Sequence, residues 1–193
     1  HNGDLEIAKK LVEVAAASGA DAVKFQTFTA EAIAAASAKK AGYQVQNMGT
    51  NESQVEMLKK LELSHEQHRV LLKYCQERKI KFMSSAFDLP SVDFLVELGM
   101  DTWKIPSGEI TNLPYLRRIG QLGKEVIMST GMADIEEVRT ALELFIKSGT
   151  PKENVTALHC HTNYPTAMED VNLRAMLTMR EAATDAGVRV NEL

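Results

Sequence analysis

No stretch of this sequence approaches the roughly 20 consecutive apolar residues that a membrane-crossing helix needs, and no leader-like pattern opens it. The expectation is a cytoplasmic protein without a membrane partner. Runs of Lys and Arg are missing too, and the formal charge is −4, so nucleic acid is a poor partner. Any anion bound here must be gripped by a local set of cations and amides. Only two cysteines are present, Cys75 and Cys160, and they lack metal-type spacing, which argues against a disulfide scaffold or a zinc site. Both read as small core residues, Cys75 on a helix and Cys160 inside an apolar strand. No G-x-G-x-x-G turn follows a strand and no P-loop occurs, which removes the usual signatures of an open nucleotide-binding sheet.

What is present is a regular alternation of helical and strand periods, the mark of βα units around a parallel sheet. Asp4 is placed to cap a helix through LEIAKKLVEVAAAS, after which ADAVKFQTF reads as a buried strand. Ser64 with Gln67 and Asp134 with Glu137 form capping boxes at the heads of two further helices. Strand starts near residues 81, 103, 125 and 155 recur at the interval of one βα unit, with a possible further strand at Val188 to Val190 and a last helix over about 172–186. A closed (β/α)8 barrel has eight strands and typically about 250 residues, so this 193-residue chain matches about two-thirds of one. Both ends read as incomplete, with the first strand and the last strands of such a barrel lacking. Residues 29–63 break the rhythm with a polar excursion, either a binding loop or a solvated connector.

Side chains alternate between the faces of a strand, so parity shows which polar groups could converge at the C-terminal strand ends, where barrel chemistry sits. Lys24 and Gln26 share a face, as do Ser85 and Phe87. Lys104 closes its strand and is followed by Pro106, Ser107, Gly108 and Glu109, while Ser129 ends the next strand. The same parity carries Leu158, Cys160, Thr162 and Tyr164 along the last one. Two lysines on neighbouring buried strands, with several hydroxyls, have the composition of an anion site. Glu109 has two readings, a cap for the following helix or a group acting on substrate. His65 and His68, on a polar helix start, read as solvated, and His159 as structural. No carboxylate at a clear spacing completes a metal set with these histidines, so the metal ligands are unknown.

In order along the chain, HNGD, GADAVKFQTF, ESQVEMLKKLELS, SSAFD, KIPSGEITN, STGM and LHC followed by YPT and EDVNL resemble the N-acylneuraminate (sialic acid) synthase family, which includes legionaminate synthases. The resemblance covers essentially the whole chain. It implies a (β/α)8 barrel, usually followed by a small antifreeze-like domain that is expected to be absent from this chain. It also implies condensation of phosphoenolpyruvate with the open aldehyde form of an N-acyl hexosamine, with a divalent cation, Mn2+ or Mg2+, held by later strands. On this pattern Lys24, Lys104, Ser85, Ser107 and Ser129 hold the phosphate and carboxylate of phosphoenolpyruvate, while Gln26 and Glu109 face the sugar. The resemblance further implies a homodimer of the full-length protein. The chain departs from the pattern at HCHTNYP, where His161 is in effect inserted and Thr162 stands in place of an asparagine, and at Ser85, where relatives carry threonine. Taken alone, the chain is expected not to turn over. Two other readings stay open: a Schiff-base aldolase using Lys24 or Lys104, and a barrel that only binds a ligand or partner.

Overall fold

The computed structural model describes residues 1–34, 53–163 and 165–186. The chain divides into two compact units, His1–Leu98 and Gly99–Leu193. Much of the 29–63 excursion, Tyr164 and the possible strand at Val188 to Val190 lie outside the described residues.

In the first unit, the carboxylate of Asp4 accepts from the amide of Ile7 at 2.9 Å and starts helix α1, Leu5–Ala17. A cap of this kind contributes about 1 kcal/mol. Strand β1, Ala22–Thr27, then runs parallel to β2, Lys81–Ala86, in a register that pairs Phe25 with Ser84 and Gln26 with Ser85. Two short helices, α2 (Ala30–Ile33) and α3 (Gln54–Lys59), flank the excursion, and an ion pair of 2.6 Å between Glu31 and Lys59 links them. Helix α4, His65–Glu77, begins at the expected Ser64–Gln67 capping box and buries His68, Leu71 and Cys75 at the helical spacing. Helix α5, Leu89–Glu97, is capped by Asp88 with Pro90 in its first turn. The core of this unit includes Phe25 stacked on Phe82, with ring centroids 5.7 Å apart. Each such buried aromatic contributes about 1.5–3 kcal/mol.

In the second unit, β3 (Thr102–Ile105), β4 (Glu125–Ser129) and β5 (Val155–Leu158) form a parallel sheet in that order. Trp103, Ile105, Val126, Met128 and Val155 are all at or below 2% exposure and share one face, so alternate residues, Lys104 and Ser129 among them, take the other. Helix α6, Leu113–Gly120, packs on α7, Ile135–Ser148. Gly120 permits that approach, because a Cβ there would stand 2.7 Å from the Cβ of Ser148. Helix α7 opens on the expected Asp134–Glu137 capping box, and α8 spans Ala175–Asp185. Among the described residues no helix is long and apolar enough to cross a membrane.

Three sequence-based expectations need correction. His68 is not solvated but fully buried at 0% exposure, because Phe82 and Phe94 pack against its ring from the strand and helix beside it. Strand β5 stops at Leu158, so Cys160 and Thr162 do not continue its alternation. Just past β4, the hydroxyl of Thr130 donates to the carbonyl of Leu158, the last residue of β5, at 2.8 Å. Lys24 and Lys104 are not on paired strands, since β1 pairs with β2 and β3 with β4.

Candidate active site

The first unit presents Lys24 and Gln26 on the β1 face opposite Phe25 and Thr27, which are buried. Their register partners on β2 are Met83 and Ser85, so Gln26 and Ser85 stand side by side on that face. Ser84 is turned the other way, 2.7 Å from the hydroxyl of Thr27, and serves the interior. Solvent reaches Lys24, yet enough protein surrounds its amine that lost hydration lowers its pKa below the ordinary lysine value. Phe87, just past the end of β2, is half-buried and sets its ring edge-on to Phe28 at 6.1 Å.

In the second unit, the side-chain nitrogen of Lys104 donates to the hydroxyl of Ser129 at 2.5 Å and to the carbonyl of Ile105 at 2.9 Å. Both bonds bend the long side chain toward the β4 exit, so the cation is held rather than left to roam. Ser107 opens a single turn of 3-10 helix, Ser107–Glu109, directly after the strand. Its hydroxyl oxygen accepts from the amide of Gly131 at 3.1 Å. A side chain at position 131 would crowd that oxygen, since a Cβ there would lie 3.0 Å from it and 3.4 Å from the His161 carbonyl. Glu109 is half-buried and accepts from the side-chain amide of Asn112 at 2.7 Å. Asn112 is itself the cap of α6, accepting from the amide of Tyr115, so of the two readings of Glu109 the helix-capping one falls away.

Lys104, Ser107 and Ser129 thus gather at adjoining strand exits of one unit, while Lys24, Gln26 and Ser85 share a face in the other. Thr162 is exposed in the segment after β5. His159 donates from Nε2 to the Val171 carbonyl at 2.9 Å, in keeping with a structural role, and His161 Nδ1 accepts from the amide of Asn163 at 3.1 Å. A groove of about 520 Å3 lies between the β4 exit and α8, lined by Thr130, Met132, His159, Cys160, His161 and Arg174 among others. Among the described residues, no three His, Cys, Asp or Glu side chains gather in a way that could hold a metal ion. The residue that sequence reasoning passed over is Gly131. Its signal was the STG triplet at a strand exit, but the partner, Ser107, comes from a different strand.

Comparison with known proteins gives a consistent answer. The NeuB family model matches residues 11–188. The N,N'-diacetyllegionaminic acid synthase of Campylobacter jejuni is 50% identical over 182 residues, covering 94% of this chain and 54% of that protein. The synthase of the same description from Legionella pneumophila is 47% identical over 183 residues, covering 94% and 51%. Among solved structures, the N-acetylneuraminic acid (sialic acid) synthetase of Leptospira borgpetersenii, crystallised in complex with citrate, superposes with a TM-score of 0.78 at 30% identity, covering 94% of this chain and 57% of that one. The chain spans about half the length of the curated relatives it matches. With its parallel βα units and these neighbours, its fold is part of a (β/α)8 barrel.

Proposed function

The chain belongs to the NeuB family, and from that premise we propose that it is the barrel portion of a phosphoenolpyruvate-dependent synthase. The acceptor is the open-chain aldehyde of an N-acyl amino sugar, and the product is a nine-carbon sialic or legionaminic acid with inorganic phosphate. The observation that carries this reading is the cluster of Lys104, Ser129 and Ser107, a fixed cation and two hydroxyls at the C-terminal ends of parallel strands.

Phosphoenolpyruvate bears a phosphate and a carboxylate on a three-carbon frame, so holding it needs several cations and donors already in place. In the proposal each unit offers such groups, Lys104, Ser107 and Ser129 with Glu109 in the second and Lys24 and Ser85 with Gln26 in the first. The C3 carbon of the enol attacks the aldehyde carbon, forming the new C–C bond. The displaced carbonyl electron pair settles on the aldehyde oxygen, which takes a proton, and in this reading Glu109 relays it. Water then adds at C2 and loses a proton, the C2–O bond to phosphate breaks, and inorganic phosphate leaves behind a 2-keto acid. The Lys104 amine lowers the cost of gathering charge on these oxygens.

A divalent cation, Mn2+ or Mg2+, is implied by the resemblance, but the described residues do not fit one, because they offer no group of three suitable donors. The steps above belong to this chain's own cations, hydroxyls and carboxylate. The reading also takes the full-length protein to be a cytoplasmic homodimer with a small antifreeze-like domain after the barrel.

The test is phosphate release by the full-length protein, given phosphoenolpyruvate with either N-acetylmannosamine or a 2,4-diacetamido-6-deoxy sugar, and Mn2+. Release that requires both substrates is expected, and no release with any N-acyl hexosamine would overturn the proposal. The lowered pKa of Lys24 supports a second reading, a Schiff-base aldolase. Borohydride trapping of a pyruvate adduct on that lysine would favour it over the synthase.

A further inference from the structure

One polar chain in the first unit takes no part in the proposed chemistry and yet touches both strands that carry ligand-facing residues. The Nδ1 of His68 lies 2.9 Å from the carbonyl of Ser64, its Nε2 lies 2.9 Å from the hydroxyl of Thr27, and that hydroxyl lies 2.7 Å from the hydroxyl of Ser84. A carbonyl only accepts, so Nδ1 carries a proton. Burial holds the ring below its ordinary pKa, in spite of the Ser64 and Gln26 backbone groups that favour the charged form. In the neutral ring Nε2 accepts from Thr27, and the Thr27 oxygen in turn accepts from Ser84. With the ring neutral, the three bonds form one continuous chain. They join the head of α4 to β1 and to β2.

Thr27 follows Gln26, and Ser84 precedes Ser85, while Gln26 and Ser85 are partners across the β1–β2 ladder. Neighbouring residues of a strand point to opposite faces, so fixing Thr27 and Ser84 from the helix side fixes how Gln26 and Ser85 stand on the other. A shift of either strand along its length would separate that pair and carry Lys24 with it. Hydroxyls and an imidazole in place of apolar side chains make this link directional, which packing alone is not.

We propose that His68 is a positioning residue, acting through Thr27 and Ser84 to lock β1 against β2 so that Gln26 and Ser85 remain side by side at the substrate. The proposal deepens the synthase reading and rests on it.

The experiment uses the full-length protein and the variants Thr27→Val, Thr27→Ser and His68→Leu. Thr27→Val keeps the shape of the side chain and deletes the hydroxyl that links imidazole to Ser84. It is expected to lower kcat/KM by about tenfold to a hundredfold, chiefly through KM, as small misplacements of binding groups do. Thr27→Ser restores the hydroxyl and the rate. A link that serves only the core would lower the melting temperature and leave KM unchanged, which would overturn the proposal. Hydrogen exchange supplies an arm independent of turnover. The amides of Gln26 and Ser85 are expected to exchange faster in Thr27→Val and His68→Leu, with those of α1 unaffected, and unchanged exchange at both would contradict the lock. Absence of phosphate release by the wild type would instead sink the synthase reading, and the exchange arm would still decide whether the strands are locked.

Discussion

The side-chain nitrogen of Lys104 donates to the hydroxyl of Ser129 across the β3–β4 pair, 2.5 Å away, on the sheet face turned from the buried Trp103 and Met128. The Ile105 carbonyl takes a second bond from the same nitrogen, so the ammonium is held at the strand exit. With Ser107 seated on Gly131 at the neighbouring turn, the pair forms one side of a cradle with positive charge and hydroxyl donors.

Replacing Gly131 by alanine tests that cradle without touching a charged group. The added Cβ would meet the Ser107 oxygen at 3.0 Å, so Ser107 must yield by a few tenths of an ångström. We expect the KM for phosphoenolpyruvate to rise about tenfold while the melting temperature moves little, since a side-chain end gives way more cheaply than backbone. Steady-state kinetics beside a thermal melt checks both halves.

Lys24 is expected to react with amine-directed acylating reagents faster than the surface lysines, because its lowered pKa leaves more of it as free amine near pH 8–9. Phosphoenolpyruvate should protect it. Peptide mapping after brief labelling, with and without the ligand, reads both effects, and indifference to the ligand would count against a role in binding.

His68 makes stability depend on pH in a definite direction. Its folded pKa is depressed, first by burial, so the unfolded chain binds more protons near the ordinary value of 6.5. The neutral ring's contribution is present in full above about pH 6.5 and is lost as the pH falls from there through the folded pKa. Urea midpoints between about pH 7.5 and 5 are expected to fall more steeply for the wild type than for His68→Gln, which has no proton to bind.

The two thiols should differ sharply. Cys75 is at 0% exposure and burial pushes its pKa up to about 11, whereas Cys160 is half-buried at the edge of the groove behind β4. A thiol titration of the native protein is expected to show one fast equivalent, and two after denaturation. Fast modification of Cys75 would contradict the packing described for α4.

Local chemistry was legible in the amino-acid order and long-range chemistry was not. The capping boxes at Ser64 and Asp134 depend on residues three apart, and both form as expected. The shared face of Lys24 and Gln26 follows from the two-residue period of a strand. The carbonyl that ends β5, that of Leu158, instead takes a bond from Thr130, 28 positions away, and parity carried past this point does not hold for Cys160 and Thr162. His68 followed a polar run, His65 to Gln67, which suggested solvent, and only the packing of α4 on the β1–β2 pair explains its burial. Glu109 offered two roles in the sequence, and the bond that caps α6 comes from Asn112, three residues on.

The central proposal is that the Lys104, Ser129 and Ser107 cluster grips a small, multiply charged anion. Calorimetric titration of phosphoenolpyruvate into the full-length protein and into Lys104→Gln tests it most directly, with Lys152→Gln as a surface control. Lys104→Gln is expected to bind at least about thirtyfold more weakly, the low end of what removing one partner of a hydrogen-bonded charge pair costs, and the control is expected to bind as the wild type does. Wild-type affinity in Lys104→Gln would contradict the account.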